Sequence, residues 1–136
     1  MTYRFGISLP KNLLDKFDKL VQERKYGNRS EAFRGLIRQE LIKEEWQKGK
    51  EIAGAIILSY DHHRRELVNK LMEIQHKYQK LIISTQHIHL DHNNCLEIIA
   101  LKGRPKDAQE LANTLRAVKG VKHGALGMSS TGRGVV

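Results

Sequence analysis

The stretch "HIHLDHNNC", residues 87 to 95, holds three histidines, an aspartate and the only cysteine of the chain. His87 and His89 are two residues apart, so on a β-strand both imidazoles project from one face. Two imidazoles side by side make half of a transition-metal site, and a thiolate would add a third, softer donor. Cys95 joins them only if the intervening turn has the right parity. A two-residue loop, Asn93-Asn94, pairs Cys95 with His92 and points the thiol away from His89. A three-residue loop over residues 92–94 sets Cys95 opposite Asp91, on the His87/His89 face. The metal reading therefore predicts an odd-length or bulged turn, with His92 inside it as a weaker ligand candidate. His76, in "EIQHKY", is the best remaining donor, from its own chain or a neighbour's. Three protein ligands leave a position open for catalysis, whereas a fourth closes the site. Incidental placement is the competing explanation, because short His-x-His matches arise freely. A thiol at the turn weighs against it.

The elements that must position these donors follow from periodicity. Residues 3–9, "YRFGISL", alternate, with Tyr3, Phe5, Ile7 and Leu9 on one face and Arg4, Gly6 and Ser8 on the other. Period two predicts a half-buried strand, and Pro10 then ends ladder pairing and opens a helix. Leu13, Leu14, Phe17, Leu20 and Val21 form its apolar stripe, and Gly27 is expected to end it. Asn28, three residues before Glu31, predicts a capping box for a second helix that buries Ala32, Phe33, Leu36, Ile37 and Leu41. One strand and two helices cannot bury a sufficient core, and the strand has two unpaired edges. The remedy is a dimer in which two copies of the strand pair antiparallel, leaving Arg4, Gly6 and Ser8 on the outer face of the ribbon.

Residues 42–51 are mostly polar and read as a helix end and linker. Beyond them the pattern predicts a strand at 52–60, a helix at 64–78, a hairpin of strands at 81–91 and 95–101, a helix at 105–118 and a strand at 121–128. That order, βαββαβ, is the ferredoxin-like arrangement. The fold class is α+β, with division at residues 1–46, a linker at 47–51 and a second domain at 52–136. Trp46 is expected to pack where the segments meet, and the tail "SSTGRGVV" to fray.

Composition narrows the partners. The 136 residues carry 24 Lys and Arg against 15 Asp and Glu, a formal net charge of +9. Such an excess points to a polyanion, usually nucleic acid. One cysteine excludes an internal disulfide and any Cys-x-x-Cys motif. No signal-peptide pattern opens the sequence and no apolar run spans a bilayer, so the cytoplasm is the expected compartment.

Several residues have both a functional and a plain structural reading. Arg4 on an outward ribbon face can reach guanine in the major groove, and Ser8 a base edge; Arg4 alone is as readily a solvated charge. Asn28 and Ser30 place backbone N–H groups where phosphate could bind, although such residues commonly only cap. Arg64 and Arg65 open a helix as a basic pair that can touch phosphate or merely face solvent. His62 and His63 are expected to be solvated, with an auxiliary metal site as the remote alternative. Tyr60 and Glu97 can orient ligands from behind, or simply pack.

In combination, "RFGISL", "GNRSEAFR", "LSYDHHRREL", "IQH", "HIHLDHNNCLE" and "VKHG" resemble the nickel-responsive transcriptional regulators of the NikR family across nearly the whole chain. The resemblance implies a ribbon-helix-helix domain followed by an ACT-like, ferredoxin-type metal domain. It implies a homotetramer of four central metal domains flanked by two dimers that bind operator DNA. Its Ni(II) ligands would be His87, His89 and Cys95 of one chain with His76 of another. Arg4, Gly6 and Ser8 take the ribbon positions, and Arg64 and Arg65 match a basic pair implicated in phosphate contact. Two departures stand out. Gly6 replaces a common hydroxyl residue and has no side chain to read a base. Gly35 stands where relatives often place an aspartate that helps hold an interdomain cation, although Glu31 remains.

The expected function is therefore nickel-dependent regulation of transcription, repressing nickel uptake. One rival is metal storage or delivery with an N-terminal unit that only oligomerises. Another, a zinc hydrolase, lacks an evident general base and any His-Glu-x-x-His. The expectation is a protein that is not an enzyme.

Overall fold

The computed structural model describes residues 1–135, which form four helices and four strands. They are α1 (Lys11–Glu23), α2 (Arg29–Lys48), β1 (Ile52–Asp61), α3 (Arg65–Lys77), β2 (Ile82–His89), β3 (Asn94–Gly103), α4 (Pro105–Arg116) and β4 (Val121–Met128). The chain divides into two compact units at residue 39, within α2.

In the first unit, residues 1–9 form no strand within the single chain and are exposed nearly throughout. A lone strand has no partner for its backbone groups, so the alternating pattern has nothing to pair with here. Pro10 starts α1, its carbonyl accepting from the backbone of Leu13 and Leu14. The end of α1 corrects the expectation for Gly27. The left-handed residue is Lys25, with φ 58°. Its N–H donates to the Gln22 carbonyl and that of Tyr26 to the Val21 carbonyl. This pair of bonds closes the helix two residues earlier than the glycine would. Asn28 caps α2 as expected, its Oδ1 accepting from the Glu31 N–H at 2.8 Å. Phe17 and Phe33 meet edge to face at 5.3 Å. Ala32 is buried, whereas Leu13 and Ile37 of the expected core remain exposed.

The mostly polar residues 42–48 are the end of α2, which runs two residues into the expected 47–51 linker, helped by surface ion pairs Lys43–Glu40 and Lys48–Glu44. Gly49, at φ +72°, turns the chain toward β1. The second unit then folds as an antiparallel sheet of order β2-β3-β1-β4, the ferredoxin-like topology. Along β3 the residues Cys95, Glu97, Ile99 and Leu101 are buried at every second position. Leu67, Leu71 and Ile74 of α3, and Ala108, Leu111, Ala112 and Leu115 of α4, recur at helical spacing and cover that face. Fully burying an aliphatic side chain contributes about 1.5–3 kcal/mol, and Ile56, Leu58, Ile99, Leu101, Leu111 and Leu115 are all fully buried. Trp46 belongs to this core, its indole donating to the Ser129 carbonyl at 2.8 Å. Ser129 in turn donates to the Ala53 carbonyl, so the first residue of the tail is anchored where fraying was expected.

Candidate metal centre

The hairpin between β2 and β3 decides which donors share a face. Cys95 lies opposite His89 and also opposite Tyr60, while Glu97 lies opposite His87 and Leu58. Cross-strand partners project to the same side, so His87, His89, Cys95, Glu97 and Tyr60 all point to the helix-covered face. The turn is odd, because Leu90 donates to the Asn94 carbonyl and leaves Asp91, His92 and Asn93 as the loop. It sits one residue earlier than the expected 92–94 loop, and Cys95 faces His89 rather than Asp91. Asp91 is the reason. Its Oδ1 accepts from the N–H groups of Asn93 at 2.9 Å and Asn94 at 2.8 Å. Hydrogen bonds from the Asn94 side chain and then from these two backbone groups hold the Asp91 carboxyl down at about pH 2. An aspartate so engaged starts the turn itself.

Behind the histidines lies a buried polar cluster. Tyr60 donates to Glu97 Oε1 at 2.7 Å, and Gln75 Nε2 donates to Glu97 Oε2 at 2.9 Å. His87 Nε2 lies 3.4 Å from Glu97 Oε2, and His87 Nδ1 lies 3.4 Å from the Tyr60 hydroxyl. Burial, then the bond to Glu97, pushes the Tyr60 phenol well above its ordinary value, so it remains a donor. Gln75 was not anticipated; its only signal was its place beside His76, on the flank of a helix whose buried stripe includes Ile74.

The β1–α3 loop adds a row of imidazoles. His62 stacks on His89 with ring centres 4.3 Å apart and 3° between planes. His62 also touches His63 at 4.2 Å, and His63 touches His92 at 5.0 Å. The Asn93 carbonyl accepts from the His62 N–H at 3.1 Å, which ties this loop to the hairpin turn. His62 is therefore not solvated as expected. Its Nε2 is buried and has no hydrogen-bond partner among the described residues.

A thiol and two imidazoles on one face are a donor set that fits a late first-row divalent metal, and the Glu97 cluster gives His87 the outer partner such ligands ordinarily have. The three do not converge on one point within the single chain. Among the described residues no group of three His, Cys, Asp or Glu side chains is close enough to hold an ion. His89 is turned onto His62, His87 onto Glu97, and Cys95 is a free thiol only 1% exposed. His76 lies in the last turn of α3 and is exposed. It follows buried Ile74 by two positions, about 200° around the helix, so it faces away from the core that holds Cys95.

Comparison with known proteins settles the family. Residues 53–129 match the NikR C terminal nickel binding domain, and residues 3–44 match the ribbon-helix-helix proteins of the copG family. The chain belongs to the nickel-responsive regulator family. It is 56% identical over 130 residues to a protein of Syntrophus aciditrophicus (strain SB) provisionally named a nickel-responsive regulator, covering 96% of this chain and 95% of the relative. A protein of Pyrococcus furiosus with the same provisional name is 48% identical over 134 residues, covering 98% and 97%. In fold alone the chain is similar to an uncharacterized protein from Thermotoga maritima, with TM-score 0.52 and 14% identity, covering 57% of this chain and 95% of that one. The family is one of regulators, not enzymes.

The remaining residues of this NikR-family chain sit as follows. Arg4, Gly6 and Ser8 lie on the exposed N-terminal arm, and nothing lies within 4 Å of where a Gly6 side chain would start. Ser30 is exposed in the first turn of α2, behind the Asn28 cap. Arg64 caps α3 through its backbone, and Arg65 is its first residue; both side chains are exposed. Glu31 pairs with Arg34. At Gly35 a Cβ would stand 2.8 Å from the Tyr26 hydroxyl, so the tyrosine occupies the space a carboxylate side chain would need. Among the described residues no helix is long and apolar enough to cross a membrane.

Proposed function

We propose that the protein is a cytoplasmic, Ni(II)-dependent transcriptional regulator that binds operator DNA as a homotetramer and represses nickel uptake when loaded. One observation carries this reading. The odd turn at Asp91 to Asn93 puts Cys95 across from His89 on the His87 face, with Glu97 and Tyr60 behind, while His76 faces outward on α3. An outward histidine suits donation to a neighbouring chain, and the ligand set is then His87, His89 and Cys95 of one chain with His76 of another. Bound Ni(II) supplies the electrophilic centre that ties donors of two chains together.

The chain's own residues do the rest. Cys95 and the histidines give up their protons on binding, so affinity falls with acid. Glu97 accepts from Tyr60 and Gln75 and keeps His87 oriented. Since Gln75 adjoins His76 on α3, each chain's own site is linked to the neighbouring site that its His76 would join. At the other end, Tyr3, Phe5 and Ile7 are 81%, 80% and 56% exposed in the single chain. Antiparallel pairing of two arms would bury them and display Arg4, Gly6 and Ser8 to the major groove. Asn28, Ser30, Arg64 and Arg65 are assigned to phosphate. We assign residues 1–46 to DNA binding and dimerisation, 47–51 to the linker, and 52–136 to metal binding and tetramerisation. Metal changes DNA affinity only insofar as the bridged arrangement is the better DNA binder.

Gel-shift titration on genomic fragments tests the reading, with nickel, cobalt and zinc compared. A sequence-specific complex that forms with nickel supports it. The absence of such a complex at moderate salt, with or without metal, leaves storage or delivery as the function. Replacing Cys95 by Ala should abolish the thiolate-to-nickel charge-transfer absorption. If that absorption persists, the ligand set is wrong.

A further inference from the structure

We propose that the cleft between α3 and α4 is a binding site for a small amphipathic organic anion, separate from the metal face. The cleft is an open groove of about 500 Å³, within the few-hundred to thousand Å³ range of small-molecule sites. Leu67, Ile74 and Val118 supply its apolar wall, and Thr114 and Ala117 are small enough to leave the space open. Its charge is one-sided. Arg64, Lys70 and Lys119 line it against a single carboxylate, Glu66. Lys70 is held only loosely, 3.9 Å from Glu73, and among the described residues neither Arg64 nor Lys119 has an ion-pair partner.

The position of Arg64 is built rather than incidental. Its guanidinium lies over Gly120, where a Cβ would come within 2.6 Å of Nη1. Gly120 also has φ +103°, a conformation that side chains rarely adopt, so the turn from α4 to β4 needs glycine on two grounds. The N-terminus of α3 has no side-chain cap, which leaves its N–H groups adding positive potential beside Arg64. The Thr114 hydroxyl already donates to the Glu110 carbonyl at 2.8 Å, so it offers the ligand only an acceptor. Apolar wall and cationic mouth together fit a ligand with a short hydrocarbon part and one anionic group, such as a medium-chain carboxylate.

The test uses the full-length, metal-free protein with methyl-labelled Ile, Leu and Val, and hexanoate as the probe. Neither DNA nor nickel is present, so the outcome stands apart from the regulator reading. Saturable shifts of the Leu67, Ile74 and Val118 methyls are expected, with a dissociation constant on the order of millimolar for so small a ligand. Hexanol and inorganic phosphate carry the tail and the charge separately and should each bind more weakly. Arg64→Ala with Lys119→Ala should weaken hexanoate about tenfold or more, the loss of charge-assisted bonds. Both side chains are exposed, so the fold should survive the double change. The proposal is overturned if those methyls do not saturate, if hexanol matches hexanoate, or if the double variant binds as well. It is equally overturned if the shifts follow protein concentration instead of hexanoate, which would mean a second copy fills the cleft.

Discussion

Glu97 is 1% exposed, and its two oxygens meet Tyr60, Gln75 and His87. A carboxyl group so placed persists in a core only with its partners satisfied. Replacing it with glutamine keeps the shape but turns one acceptor into a donor facing Tyr60 or Gln75. Glu97→Gln should weaken nickel about 10–100-fold, the usual cost of losing an outer partner of a ligand. Competition against a chelator of known affinity measures this, and an unchanged affinity would make Glu97 merely a core residue. The Gly6 departure belongs to the same scale. Without a side chain there, discrimination at that base must come from Arg4, Ser8 or the shape of the DNA.

At the scale of elements, two short-range devices set the geometry. The first joins α1 to α2. Arg29 makes a paired hydrogen bond to Asp18, at 2.8 Å for each oxygen. That bond, then its charge, holds the Asp18 carboxyl below its ordinary value of 3.8. A depressed carboxyl contributes stability that is present above pH 3.8 and lost as pH falls through the lower folded value. Thermal midpoints measured from pH 2 to 6 should therefore fall less steeply with acid for Asp18→Asn than for the parent. The second device is the Asp91 turn. Asp91→Ala removes the bonds to Asn93 and Asn94, so the hairpin should loosen, with a lower thermal midpoint and weaker nickel binding. Faster amide exchange confined to residues 90–94 would locate the effect; no local change would show that the ladder alone sets the register. The odd parity was legible only through the metal reading, which needs Cys95 on the His87/His89 face; periodicity alone left an even turn open. The exact loop was not, since nothing in the pattern said that Asp91 would capture the backbone ahead of it.

For the whole molecule, the single chain leaves several apolar side chains uncovered. Tyr3, Phe5, Ile7, Leu13 and Ile37 are exposed, and His76 faces away from the donors it is proposed to join. Changing Phe5 and Ile7 together to Ser should cost the arm pairing its apolar face. At about 1.5–3 kcal/mol for each buried side chain, DNA affinity should fall by at least ~100-fold while nickel binding persists. Fluorescence anisotropy with labelled DNA and a parallel nickel titration measure the two; equal loss of both would mean general unfolding. The sequence by itself determined the order of elements, because periods of 3.6 and 2 report burial one element at a time. It also determined the donor types and, on the condition that they share a metal, the face Cys95 would have to take. Only the tertiary structure decided that His62 stacks on His89, that Gln75 reaches Glu97, that Tyr26 fills the space beside Gly35, and that α3 and α4 leave a cationic cleft. Those meetings depend on how separate elements pack against one another, which no periodic pattern within one element encodes.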